Sequence, residues 1–309
     1  SVVVGSNKFT DGAGNNNTTS NTYNWTHDTT PPTGNSISIN GGASYTNSTS
    51  VTLTLASTGA SQMRFKNDSG SYGSWVTYAT SYSHTLANTQ GTRTVSVQFR
   101  DTAGNAASAV NDTIIFDSVA PGVPSLASPA NGSSTNDTTP TLDWSDSSGA
   151  TSYQVMYDDN SGFSSPLILN TYNAYYTLTS MYSSTAGTYY WKVRAGDESG
   201  NWSALSSAFS FTIDATPPTM TLTSSAVADG GTHNAAVTMT FTSSEATSNF
   251  VAGDITAINA SVSNFTAVNS TTYTATITPS SSAPSVVVGS NKFTDGAGNN
   301  NTTSNTYNW

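Results

Sequence analysis

Residues 1–25 of this chain occur again, letter for letter, as residues 285–309. An identity of that length marks one period of a tandem array together with a 25-residue overlap. The constraint on folding is severe, because every unit must close its own core and stack in series with the next. The duplicated stretch holds an apolar run, Val2-Val3-Val4, then a turn at Asp11-Gly12-Ala13-Gly14-Asn15, then a Thr-rich run ending at Trp25. Two strands and a turn cannot bury a face alone. Residues 1–29 therefore read as the closing hairpin of a preceding domain plus its linker, a hairpin that folds here only if something supplies the missing strands. Residues 285–309 read as the same hairpin inside its own domain.

Proline sets the remaining boundaries. The segments Asp28-Thr29-Thr30-Pro31-Pro32, Asp117-Ser118-Val119-Ala120-Pro121 and Asp214-Ala215-Thr216-Pro217-Pro218 are short joints. Proline fixes φ and drives its predecessor toward extended geometry, which makes each joint stiff. The spacing of Asp28, Asp117 and Asp214 gives domains at 30–117, 118–215 and 216–309, each one sandwich long. Between the joints, apolar residues alternate with polar ones: Val51, Leu53 and Leu55; Val95, Val97 and Phe99; Tyr189, Trp191, Val193 and Ala195; Val237, Met239 and Phe241; Tyr273, Ala275 and Ile277. Period-two alternation is the pattern of a sheet with one buried and one wet face. No stretch sustains a helical apolar stripe, and the expected fold class is all-β, a tandem array of antiparallel β-sandwich domains.

Composition narrows the partners. A net charge of −10 with only eight Lys and Arg argues against nucleic acid or an anionic membrane and favours cations. Cysteine is absent, which removes disulfides and thiolate sites. No segment has the apolar length of a membrane span.

Family resemblance rests on several motifs. Ser44-Tyr45-Thr46-Asn47, Gln62-Met63-Arg64-Phe65 and Val97-Gln98-Phe99-Arg100-Asp101 resemble the immunoglobulin-like repeats of bacterial surface proteins. Pro129-Ala130-Asn131-Gly132, Thr141-Leu142-Asp143-Trp144 and Gly200-Asn201-Trp202-Ser203 resemble fibronectin type III modules. Phe241-Thr242-Ser243-Ser244-Glu245 with Asp254-Ile255 and Phe293-Thr294-Asp295 is similar to another bacterial immunoglobulin-like class found in long adhesins. The resemblance implies a cell-surface location, neighbouring repeats of the same chain as partners, and interdomain calcium as a stiffening device.

The strongest chemical regularity is the pentapeptide Asp-x-x-Gly-Asn at residues 11–15, 101–105, 197–201 and 295–299. As turn chemistry, Asp bonds its own backbone while Gly and Asn accept positive φ. Sandwich topology adds a second reading. The loop between strands six and seven returns to the pole where strand one enters, and so does the loop between strands two and three. That pairs Asp28 with Asp101, Asp117 with Asp197 and Asp146, and Asp214 with Asp295 and Glu245. Converging carboxylates form an oxygen-only site suited to Ca²⁺. The first of these groups has only two acids and is the weakest candidate.

Among the other features, Trp144 reads as the core tryptophan of its sandwich and Trp202 as a clamp after the turn. Tyr72, Trp75 and Tyr78 are candidates for a glycan-stacking platform, against the plainer reading of strand packing. His27, His84 and His233 sit in no acid, base or nucleophile constellation, and no enzyme is expected. The sequence thus reads as a spacer repeat of a giant cell-surface adhesin or extracellular fibre. A glycan- or protein-binding module, or a subunit that associates with like chains into a filament, is the alternative.

Overall fold

The computed structural model describes residues 1–179 and 185–309. The all-β class is what the structure has, and among the described residues no strand pairing crosses the segments 117–125 or 214–219. Among the described residues the only helical turn is Ala252–Asp254. No helix among them is long and apolar enough to cross a membrane.

The first sandwich contains β1 (Thr33–Ile39), β2 (Tyr45–Thr46), β3 (Ser50–Thr58), β4 (Gln62–Asn67), β5 (Val76–Thr77), β6 (Ser81–Thr85), β7 (Gly91–Arg100) and β8 (Val110–Phe116). Its sheets run β1-β3-β6 and β2-β8-β7-β4-β5. The second contains β9 (Leu126–Ser128), β10 (Ser133–Thr135), β11 (Thr141–Trp144), β12 (Ser152–Asp158), β13 (Leu167–Thr171), β14 (Tyr175–Thr177), β15 (Gly187–Gly196) and β16 (Phe209–Ile213). It repeats the plan, with sheets β14-β11-β9 and β10-β16-β15-β12-β13. The third contains β17 (Met220–Ser224), β18 (Val237–Ser243), β19 (Ile255–Ile258), β20 (Ala260–Ala267), β21 (Thr272–Pro279), β22 (Ser285–Val288) and β23 (Tyr307–Asn308). Its sheets, β17-β18-β21-β20 and β19-β22-β23, have the four-plus-three strand order of a constant-type immunoglobulin sandwich.

The alternation places the cores. Val51, Leu53 and Leu55 face Met63, Val97 and Phe99 in the first sandwich. Trp144 lies between Tyr153 and Trp191, at ring-centroid distances of 5.5 and 6.3 Å, as the core tryptophan of the second. Phe241, Phe250 and Phe293 fill the third, with Phe250 edge-on to Phe293 at 5.3 Å. Trp202 does clamp the strand before it. A Cβ added to Gly196 would lie 2.9 Å from its ring, so only glycine lets the indole lie against β15.

By contacts the chain divides into two compact units, residues 1–119 with 199–201, and residues 120–198 with 202–309. The second unit holds two sandwiches. In the first unit the duplicated hairpin is formed, with bridges Val2–Tyr23 and Thr10–Asn16 and the same bonds from Asn17 that Asn301 makes in the second copy. Its apolar face is bare: Val2, Phe9 and Trp25 are 55, 64 and 57% exposed, against 0, 1 and 8% for Val286, Phe293 and Trp309. The hairpin's shape is thus local, held by Asn and Asp side chains, while its burial depends on a sheet the first copy lacks.

Candidate metal centre

Three elements bring acids together in the third sandwich. Asp214 directly follows β16. Its N–H donates to the Thr135 carbonyl at 2.9 Å and extends the parallel β10–β16 ladder, while its Oδ1 accepts the Thr216 N–H at 2.9 Å. Glu245 lies just past β18, on the loop to β19. Asp295 lies on the long loop between β22 and β23, buried, with Oδ1 accepting the N–H groups of Ala297 and Asn299 at 2.9 Å. One carboxylate oxygen from each of Asp214, Glu245 and Asp295 lies within 4.8 Å of the others, and this is the one such group of acids or histidines among the described residues. Burial first, then the charges of Asp214 and Asp295, push the Glu245 carboxyl above its ordinary value. The donor set is all carboxylate oxygen, which fits a hard divalent cation and not a thiophilic one.

The fifth residue of the pentapeptide corrects the expectation drawn from turn chemistry. Gly14, Gly104, Gly200 and Gly298 all have positive φ, from +86 to +97°, but none of the four Asn residues after them does. Asparagine is there for its amide. The Nδ2 groups of Asn105, Asn201 and Asn299 donate to the backbone carbonyls of Asp28, Asp117 and Asp214 at 3.0, 2.9 and 2.9 Å. The amides of Asn105 and Asn299 also reach the turn aspartates Asp101 and Asp295, each at 2.9 Å. The loop therefore clips the joint that leads into its own domain. The sequence signal was the invariance of Asn at a position where a turn alone would tolerate Gly or Asp.

The other expected acids are placed as follows. Asp28 caps the Thr30 N–H at 2.9 Å. Asp101 is held below the ordinary aspartate range, chiefly by the Asn105 side-chain amide. The exposed Asp11 is lowered in the same way by Asn15. Asp117 accepts the Val119 N–H at 2.9 Å in the first unit. Asp146 accepts the Tyr153 hydroxyl at 3.4 Å in the second unit, where Asp197 also lies.

The aromatic cluster is engaged by cations. The Arg64 guanidinium lies 4.8 Å from the Tyr72 centroid and 4.5 Å from that of Trp75, with Arg100 4.3 Å from Trp75 and Lys66 5.3 Å from Tyr72. Tyr78 packs edge-on to Phe99 at 5.8 Å, and its hydroxyl accepts the Ser57 N–H. These rings are a cation–π ladder on the outer face of β4 and β7 together with a packing contact. His84 meets Asn67 at 2.8 Å, and burial lowers its pKa.

Residues 214–309 match the family model described as a bacterial Ig-like domain. No functionally curated protein matches the sequence. Among solved structures, the chain is similar to the FN1-FN3 domains of chicken CNTN1, at 16% identity and TM-score 0.31, covering 91% of this chain and 99% of that one. It is also similar to the fibronectin(III)-like modules of Clostridium thermocellum CbhA, at 12% identity and TM-score 0.41, covering 58% and 94%. A marsupial T cell receptor matches at 13% identity and TM-score 0.36, covering 78% and 93%.

Proposed function

We propose that this chain is a spacer period of an extracellular fibre or giant cell-surface adhesin, and that Ca²⁺ binds at Asp214, Glu245 and Asp295 to stiffen its third joint. The observation that carries the reading is the recurrence of one joint design, an aspartate clipped by the Asp-x-x-Gly-Asn loop of the domain it leads into, three times in the chain. A molecule whose most repeated chemistry lies at its joints is built to set the spacing of something else. The acidic balance and the bacterial Ig-like match of residues 214–309 agree with an extracellular setting.

The cation part follows from charge. Three carboxylates converging on one point repel one another, and a divalent ion converts that repulsion into attraction while tying Asp214 of the joint to two loops of the domain. Ligand linkage sets the scale: at 100 times its Kd an ion that binds only the folded state adds about 2.7 kcal/mol. Calorimetry of the chain in calcium and in EGTA tests this. The third-domain transition is expected to rise by several degrees in calcium, with Asp295→Asn abolishing the rise. Identical transitions in both buffers would discard the calcium part and leave the spacer reading to be judged by the sequence flanking this period. Glycan recognition at Tyr72 and Trp75 is disfavoured, because guanidinium groups already stack on those rings.

A further inference from the structure

The loop at 295–299 makes a second set of bonds that the metal centre does not use. The Asn136 N–H, on the turn after β10 in the second sandwich, donates to the Ala297 carbonyl at 2.9 Å. Its side-chain Nδ2 donates to the Gly298 carbonyl at 2.7 Å, across 162 residues of sequence. On the other flank, Asn299 Nδ2 holds the Asp214 carbonyl at 2.9 Å, and the Asp214 N–H holds the Thr135 carbonyl at 2.9 Å. Thr135 and Asn136 thus grip both ends of a path that runs from β10 through Asp214 and Asn299 back to Asn136. Gly298 has φ +96°, and a Cβ placed on it would come within 3.4 Å of Asn136 Nδ2, so the approach is close. Both sandwiches fall in one compact unit. Inside the other unit a related pair occurs: Asn47 follows Thr46 at the end of β2 as Asn136 follows Thr135 at the end of β10, and its Nδ2 lies 3.6 Å from the Cβ position of Gly200.

From this we infer that the Ala297 and Gly298 carbonyls form a docking surface for the Thr-Asn turn of the preceding fibronectin-like domain, with Asn136 as the residue that reads it. The lock consists of neutral hydrogen bonds to backbone carbonyls, so it needs no cation and persists when the carboxylate site is stripped. It makes the second and third sandwiches one body through groups that the calcium reading leaves aside.

Residue-resolved hydrogen exchange on the whole chain reads the lock directly, because the Asn136 amide donates across the joint. Protection of that amide in EGTA and in calcium alike is expected. Asn136→Ala should raise exchange at that position about tenfold, as loss of one hydrogen bond of ordinary net strength implies, with amides in β15 and β18 unchanged. Fast exchange of Asn136 in both buffers overturns the inference. Fast exchange in EGTA with protection in calcium also overturns it, since the cation would then make the joint. No change in Asn136→Ala removes the side chain from its assigned role.

Discussion

At the scale of single residues, Glu245 carries the clearest titration. Burial and the two neighbouring aspartates raise its pKa in the fold. A carboxyl raised on folding adds stability at pH below its unfolded value, and that contribution is lost as pH rises through the folded pKa. In EGTA the third domain of the native chain should therefore lose stability as pH climbs from the ordinary glutamate value near 4.5, relative to Glu245→Gln. Thermal midpoints of the two proteins across pH 4 to 7 check this. Parallel curves would mean that neither burial nor the two aspartates shift Glu245. Asp214, Glu245 and Asp295 were legible as a group because sandwich topology returns their three loops to one pole. The asparagine clip was not, since a pentapeptide read as turn chemistry explains Asn through backbone conformation, and only φ values could show that conformation is not its task. Asn136 had no signal at all: one polar residue in a Thr-, Ser- and Asn-rich turn looks like every other.

The duplicated hairpin is an experiment already performed at the level of the element. Two identical sequences make the same internal bonds, yet one face is bare and the other filled. Phe293→Ala should cost the third domain about 3–5 kcal/mol, the usual range for a buried phenylalanine. Phe9→Ala, in the same local sequence, should change stability by no more than about 0.5 kcal/mol, as for a surface site. Urea unfolding of the two variants separates local from tertiary contributions, and equal costs would show that the hairpin's stability is intrinsic. The strands themselves were legible because alternation fixes which side chains turn inward, as for Tyr189, Trp191, Val193 and Ala195. The cation–π ladder was not legible as such. Arg64, Trp75 and Arg100 are far apart in sequence and meet only because β4 pairs with β7 in the observed register.

For the whole molecule, the decisive fact is that among the described residues the three cores share no member. Phe99→Ala and Phe241→Ala, both at buried sites, should each cost about 3–5 kcal/mol in their own domain. In the double variant their effects should add within about 0.5 kcal/mol, as independent sites do. Domain-resolved hydrogen exchange measures both terms, and coupling beyond that would reveal cooperativity that the core composition does not provide. The clip adds one further property. Asn105, Asn201 and Asn299 each grasp a main-chain carbonyl, a group that every amino acid presents identically. The clip by itself therefore asks only for an extended joint and not for particular side chains in the domain before it. At the clip one preceding domain could thus be exchanged for another, and any matching between neighbours falls to the turn that carries Asn136.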